Sequence, residues 1–122
     1  MVIAYVVITV LAIAANTFSG VAALAHFKPI LPGMARAGVP ESWLTFPIGT
    51  LKTAGALGLL LGLAGVPVIG AAAAIGLILF FVCAVYTHVR AADYSAQFGL
   101  ANGFLLLAVA ALALNLAALP AA

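Results

Sequence analysis

The stretch TFPIGTLKTAGALGLLLGLAG, from Thr45 to Gly65, decides the fold of this chain. A helix needs about 20 predominantly apolar residues to cross the roughly 30 Å of hydrocarbon in a bilayer, and residues 47–64 come close to that length. A single charged residue, Lys52, interrupts this run. The stretch therefore predicts a membrane-spanning helix that carries an ammonium group.

The rest of the chain has the same apolar character. Of its 122 residues, 68% are hydrophobic and only 5% are charged, whereas a soluble domain carries roughly 25% charged residues. Further apolar runs cover residues 2–25, 68–87 and 100–119. Because each segment in lipid must satisfy its own backbone hydrogen bonds, these runs are expected to be helices. We therefore predict an all-α fold, a membrane-spanning four-helix bundle that forms a single transmembrane domain over residues 1–122.

The basic side chains mark one end of the predicted bundle. All four lie in or near two loops, residues 26–46 and 88–99, on one side: Lys28, Arg36, Lys52 and Arg90. The positive-inside rule makes this side cytoplasmic. The sequence thus predicts a multi-pass protein of the inner membrane, with both termini extracytoplasmic and a long first cytoplasmic loop. The lipid bilayer is the expected partner, since a net charge of +2 is too small to indicate nucleic acid binding.

Small residues recur at helical spacing in every span. Because lipid gives helices no hydrophobic reason to associate, close packing depends on such residues. The repeats are Ala12, Asn16, Gly20 and Ala23; Ala54, Gly58 and Gly62; Gly70 and Ala74; and Gly99 and Gly103. They predict tight packing within the bundle, although a remaining small-residue face would also suit a homo-oligomer.

Lys52 has two interpretations. It lies in the cytoplasmic third of its span, so its long side chain could extend to the membrane interface. Alternatively, it shares a helical stripe with Gly55 and Gly62, at i, i+3 and i+10, and would then face the bundle interior. The sequence leaves both orientations open.

Polar residues of all four helices converge on the same half of the membrane. The candidate ligand-binding residues are Lys52, His88, Arg90, Tyr86, Asn16 and Asn102. Such a set is either a hydrogen-bond network that locks the bundle or a pocket for a ligand. Because most of these side chains are donors, the ligand would present an anionic, carbonyl or quinone-like oxygen. Asp93, three residues after Arg90, is expected to pair with that residue.

Other site chemistries find little support in the sequence. Two histidines, one cysteine and two acidic residues show no metal-ligand spacing, and a lone cysteine excludes an intrachain disulfide. No nucleophile-elbow, phosphate-loop or HExxH motif is present. We expect no carboxylate to orient His88 as a base, so catalysis ranks last.

Two adjacent segments resemble the DoxX-like family of small four-helix bacterial membrane proteins: GTLKTAGALGLLLGLAGVPVIG and AAAAIGLILFFVCAVYTHVRAAD. In that family a span with an early Lys or Glu and a glycine-rich run precedes a helix that ends in His and often Arg. The family name comes from a subunit associated with a terminal quinol oxidase and thiosulfate oxidation, and relatives are linked with membrane redox complexes. The resemblance implies Lys52, His88 and Arg90 as site residues, but no thiol chemistry, because paired cysteines are missing here.

These features favour an accessory, non-catalytic membrane subunit that binds a quinone-like or lipid-like ligand and docks on a redox-complex partner. A small oligomeric transporter is the first alternative. Small multidrug exporters, however, use a carboxylate in their first helix, where this chain has Asn16 as its only strongly polar residue. A stand-alone membrane enzyme, with His88 as base or Lys52 as proton donor, is the second alternative.

Overall fold

Helices account for nearly all of residues 2–118, the part of the chain that this computed structural model describes. The α-helices are α1 (Val2–Leu24), α2 (Leu31–Ala37), α3 (Thr50–Leu63), α4 (Pro67–Arg90) and α5 (Ala96–Ala118). Two 3-10 helices, Lys28–Ile30 and Glu41–Leu44, and one π-helical turn, Thr45–Gly49, complete the segment between α1 and α3. No strand occurs within residues 2–118, and the predicted all-α class is confirmed.

Within residues 2–118, four helical stretches are long and apolar enough to cross a membrane, judged by length and composition. They are Val2–Leu24, Glu41–Leu63, Pro67–Arg90 and Ala96–Ala117. The second begins before residue 47, the third continues past residue 87, and the fourth begins before residue 100. Helical hydrogen bonding continues into polar residues, whereas the sequence prediction followed hydropathy alone. The predicted end of the last span, at residue 119, lies outside the described residues.

A tight turn joins α3 to α4 and brings them side by side. Gly65 has a φ of +127°, a region that residues with a side chain rarely adopt. Pro67 occupies the first turn of α4, where an N–H group would have no intrahelical partner. Because the reversal takes only a few residues, α3 and α4 become antiparallel neighbours.

The four long helices form a bundle in which each packs mainly on two neighbours. Helix α1 packs on α3 and α5, and α4 packs on the same two helices. The central cluster has residues from all four helices: Ala12, Leu59, Ala74, Leu77, Phe81 and Ala108. The alanines let the backbones approach, and the larger side chains fill the space between them. The predicted helical bundle is confirmed.

The small-residue face of α1 and the contact of Gly62 with Gly70 between α3 and α4 pack as predicted, whereas Ala54 of the predicted α3 repeat is exposed. Every member of the predicted α1 face is buried: Ala12, Asn16, Gly20 and Ala23. A Cβ atom at Gly20 would lie 2.5 Å from Thr53 Oγ1, and one at Gly62 would lie 2.6 Å from Gly70 Cα. At both positions the neighbouring helix occupies the space that a side chain would need.

The predicted packing role of Gly99 and Gly103 in α5 is wrong. No neighbouring helix of the described chain comes within 4 Å of a Cβ atom built at either glycine. The buried face of α5 consists instead of Ala101, Ala108, Ala111 and Asn115. A repeat of small residues defines a face of a helix but not the direction in which that face points, and α5 turns its alanines inward.

The segment between α1 and α3 folds back onto one end of the bundle. Ala23 near the end of α1, Met34 in α2 and Leu44 before α3 form a second buried cluster. Gly38 ends α2 in the left-handed conformation, with a φ of +74°, and so redirects the chain toward Leu44. This packing places α2 across the end of the bundle and leaves a partly open space beneath it.

Candidate functional site

A cavity of about 760 Å³ lies between α2 and the adjacent ends of the long helices. Its walls, which define what we call the Lys52 cavity, include Ser19 of α1, Met34 of α2, Lys52 of α3, His88 of α4 and Phe104 of α5. Most of the other lining side chains are apolar. This volume lies in the roughly 300–1,000 Å³ range of small-molecule sites. The cavity therefore suits an amphipathic ligand with a small polar group.

Lys52 points into the bundle. Its Nζ atom donates a hydrogen bond to Ser19 Oγ over 2.7 Å, across the contact between α1 and α3. At this contact Gly20 of α1 packs directly against Thr53 of α3. Ser19 and Lys52, the residues that precede these two, are thereby brought together. Of the two orientations that the sequence leaves open, the structure adopts the inward one.

Three aromatic rings surround the Lys52 ammonium group. The Nζ atom lies 5.7 Å from the ring centroid of Phe80, and 5.5 Å from the centroids of both Phe81 and Phe104. Phe81 packs edge-to-face with the other two rings, at centroid distances of 5.0 and 5.2 Å. A cation–π contact is worth about 0.5–2 kcal/mol. The rings thus stabilise a charge that the membrane interior disfavours.

The charge of Lys52 is not balanced by an acidic side chain. The chain has two acidic residues, and both lie within residues 2–118. Glu41 Oε2 lies 3.1 Å from His26 Nδ1, and Asp93 Oδ2 lies 3.0 Å from His88 Nδ1. Among the described side chains, the polar partner of the Lys52 ammonium is a neutral hydroxyl. An anionic or strongly accepting ligand oxygen would complete its surroundings.

His88 has a carboxylate partner, contrary to the sequence prediction. Helix α4 ends before Asp93, and a φ of +53° at Ala92 turns the chain back. Asp93 Oδ2 therefore lies 3.0 Å from His88 Nδ1. The predicted pairing of Asp93 with Arg90 is also wrong, since Arg36 of α2 approaches Asp93 instead, at 3.8 Å. The i+3 spacing would pair Asp93 with Arg90 only if the helix continued through both residues.

Asp93 is buried and accepts hydrogen bonds on both carboxylate oxygens. Burial alone would raise the pKa of Asp93, but hydrogen bonds from Ser95 and His88 outweigh it and hold that pKa below its usual value. An ionised carboxylate can only accept, so His88 Nδ1 must carry the shared proton. In the neutral ring, Nε2 is then left as a hydrogen-bond acceptor.

The other four predicted site residues do not line the Lys52 cavity. Asn16 and Asn102 donate to carbonyl oxygens one turn earlier in their own helices, both over 2.9 Å. Tyr86 is 63% exposed and stands about 200° around α4 from His88. Arg90 is exposed at the end of the same helix. The structure brings two of the six predicted residues to one cavity, and a ligand-binding role for any of the six stays a prediction.

Sequence reasoning missed the three phenylalanines and the contact made by Ser19. Nothing in the spacing of Phe80, Phe81 and Phe104 distinguishes them from lipid-facing residues. The Ser19 contact depends on how α1 and α3 meet, which the sequence does not encode locally.

The family model of the DoxX-like family matches residues 7–113. This range includes all of α2, α3 and α4, and therefore both Lys52 and His88. Comparisons with curated proteins and with solved structures give no match.

Proposed function

The chain belongs to the DoxX-like family, and we propose that it is an accessory membrane subunit that binds a quinone-like or lipid-like ligand in the Lys52 cavity. With its four apolar helices, it is a multi-pass membrane protein. The observation that carries the proposal is the Lys52 ammonium, held in an apolar cavity without a carboxylate partner among residues 2–118. The ligand would serve a membrane redox complex, in keeping with the resemblance to this family.

The chemistry of the cavity indicates how such a ligand would bind. The Lys52 ammonium has three N–H donors, and Ser19 accepts from one of them. The others have no hydrogen-bond partner among the described side chains and can bind a carbonyl, hydroxyl or anionic oxygen, and such charge-assisted bonds are strong where water is scarce. Ile48, Leu79 and Leu100 belong to the apolar walls that would contact the rest of the ligand.

Removal of the Lys52 charge is the direct test of this proposal. Trp43 is the single tryptophan of the chain and lines the cavity, so its fluorescence should report a ligand there. The protein in lipid nanodiscs would be titrated with decylubiquinone and, under reducing conditions, with its quinol. We expect Lys52→Met to weaken saturable quenching by both forms roughly tenfold or more, since a hydrogen bond to a charged group is worth about 1.5–3 kcal/mol.

Lys28→Met is the matched control for this experiment. Lys28 is exposed and is absent from the cavity walls, so the variant loses the same charge without changing the site. It should bind as the wild type does, and circular dichroism should show equal helix content for all three proteins. Wild-type affinity in Lys52→Met, or no saturable quenching in the wild type, would contradict the proposal.

We further propose that the α2 end of the bundle is cytoplasmic and that the membrane is the inner membrane of a bacterium. The support is that the basic residues Lys28, Arg36, Lys52 and Arg90 all lie toward this end. A C-terminal fusion to alkaline phosphatase should therefore be active, and the same fusion made after Ala91 should be inactive. Green fluorescent protein should give the opposite pattern, and a fluorescent C-terminal fusion would overturn this orientation.

The contact between His88 and Asp93 favours one second candidate, a membrane enzyme. A histidine whose Nδ1 is held by a carboxylate is oriented in the manner of a general base. The two functions differ in the fate of the bound molecule. A ligand recovered chemically unchanged after long incubation supports the accessory role, whereas conversion that is lost in His88→Ala supports the enzyme.

A further inference from the structure

The Lys52 cavity contains a hydrogen-bond acceptor as well as donors. Lys52 supplies the donors, with Ser19 at its side. His88 lines the same cavity, and its Nδ1 is engaged by Asp93. Nε2, the other ring nitrogen, has no hydrogen-bond partner among residues 2–118 and so remains for a ligand.

The surroundings of His88 fix which of its nitrogens carries the proton. Asp93 Oδ2 lies 3.0 Å from Nδ1, and Ser95 N donates to Asp93 Oδ1 over 3.3 Å. Arg36, the nearest cation to this carboxylate, lies 3.8 Å from the same Oδ1. Phe98 packs edge-to-face on the imidazole, with ring centroids 6.2 Å apart, and helps to hold its plane. The ionised carboxylate needs a donor, so in the neutral ring the proton is on Nδ1 and Nε2 is an acceptor.

We propose that the Lys52 cavity selects ligands that carry a hydroxyl donor, namely phenols and hydroquinones, over quinones and phenyl ethers, which only accept. This inference rests on the proposed function, since it specifies the ligand class of the same cavity. Lys52 alone gives little selectivity, because carbonyl, ether and hydroxyl oxygens all accept hydrogen bonds. Selectivity comes from His88, because a ligand without an O–H group leaves Nε2 unpaired, whereas Thr87 and Gln97 of the same walls can each donate or accept.

A matched pair of probes tests the inference. 4-Octylphenol and its methyl ether, 4-octylanisole, differ only in the presence of the hydroxyl donor. Their affinities for the full-length protein in nanodiscs would be measured by Trp43 fluorescence excited at 295 nm. We expect the wild type to bind the phenol roughly tenfold or more tightly than the ether, because a site built to pair with a hydroxyl rejects the analogue that lacks it.

Asp93→Asn should reverse the role of His88 in the same assay. The asparagine carbonyl would keep the bond from Ser95 N, which places the amide NH₂ toward His88 Nδ1. Nδ1 must then accept, so the proton moves to Nε2 and the acceptor becomes a donor. We expect the preference for the phenol to disappear. Arg36→Gln is the control, because it removes the exposed cation near Asp93 but keeps the carboxylate, and its preference should stay unchanged.

A second measurement does not depend on the stability of the variant. Nitrogen NMR of wild-type protein labelled at histidine, with His26→Gln used for assignment, reports which ring nitrogen is protonated. We expect the Nδ1–H form at His88. Equal affinities for phenol and ether in the wild type, or an Nε2–H form, would overturn the inference while leaving ligand binding intact. Failure of every probe, quinone and quinol included, would instead overturn the proposed function.

Discussion

Ser19→Asp should weaken binding of decylubiquinone and its quinol at least about tenfold, and should also raise the thermal stability of the ligand-free protein. Ser19 Oγ lies 2.7 Å from Lys52 Nζ, so a carboxylate at position 19 would form an ion pair with that ammonium. The pair would occupy the donors that the ligand needs and would neutralise the charge. Since the pair lies in an apolar cavity next to aromatic rings, water would compete with it only weakly.

Ser19→Asn is the matched control, because asparagine has the shape of aspartate without the charge. Binding would be followed by Trp43 fluorescence and stability by thermal unfolding in the same detergent. The aspartate variant should unfold at a higher temperature than the asparagine variant and bind less ligand. If the two variants behaved alike, the charge of Lys52 would not be what the ligand recognises.

Gly62→Ala should lower the free energy of unfolding by about 1–3 kcal/mol, the usual cost of overpacking. A Cβ atom at this position would lie 2.6 Å from Gly70 Cα and 3.1 Å from Gly70 N. These neighbours are backbone atoms, so no side-chain rotation can relieve the contact. The alanine would therefore push α3 away from α4 along their shared face.

Gly103→Ala, the same substitution in α5, should instead raise the free energy of unfolding. No described neighbour lies near a Cβ atom at Gly103, and alanine is favoured over glycine inside a helix by up to about 1 kcal/mol. The free energies of unfolding of both variants would be measured in mixed micelles with increasing dodecyl sulfate. Equal stability of the two variants would show that α3 and α4 do not approach as closely at Gly62 as the structure has them.

One end of the bundle is tightly packed, and the other end contains the Lys52 cavity. At the end away from α2, Gly62 and Gly70 bring α3 and α4 into contact, and Asn115 of α5 donates to Pro67 O over 3.2 Å. At the other end α2 covers the helices, and larger side chains such as Phe81 surround an open space. A cavity next to a tightly packed half can hold its polar groups in place for a ligand.

Local composition determined several features without the tertiary structure. The apolar runs around residues 2–25 and 68–87 predicted helices because backbone hydrogen bonding in lipid leaves few other choices. The buried face of α1, from Ala12 to Ala23, followed from small residues at helical spacing, which allow close approach wherever they face a neighbour. The resemblance centred on Lys52 and His88 pointed to the family that the family model then matched.

Helix rotation and chain reversal were decided only by the tertiary structure. The sequence contains small residues on two faces of α5, and packing against α1 and α4 chose the face with Ala101 and Ala108 over that with Gly103. The positive φ at Ala92 brought Asp93 back to His88, a pairing that no helical spacing encodes. Local sequence sets which surfaces a helix can offer, but which surfaces meet depends on the simultaneous fit of all four helices, and the candidate site lies where they meet.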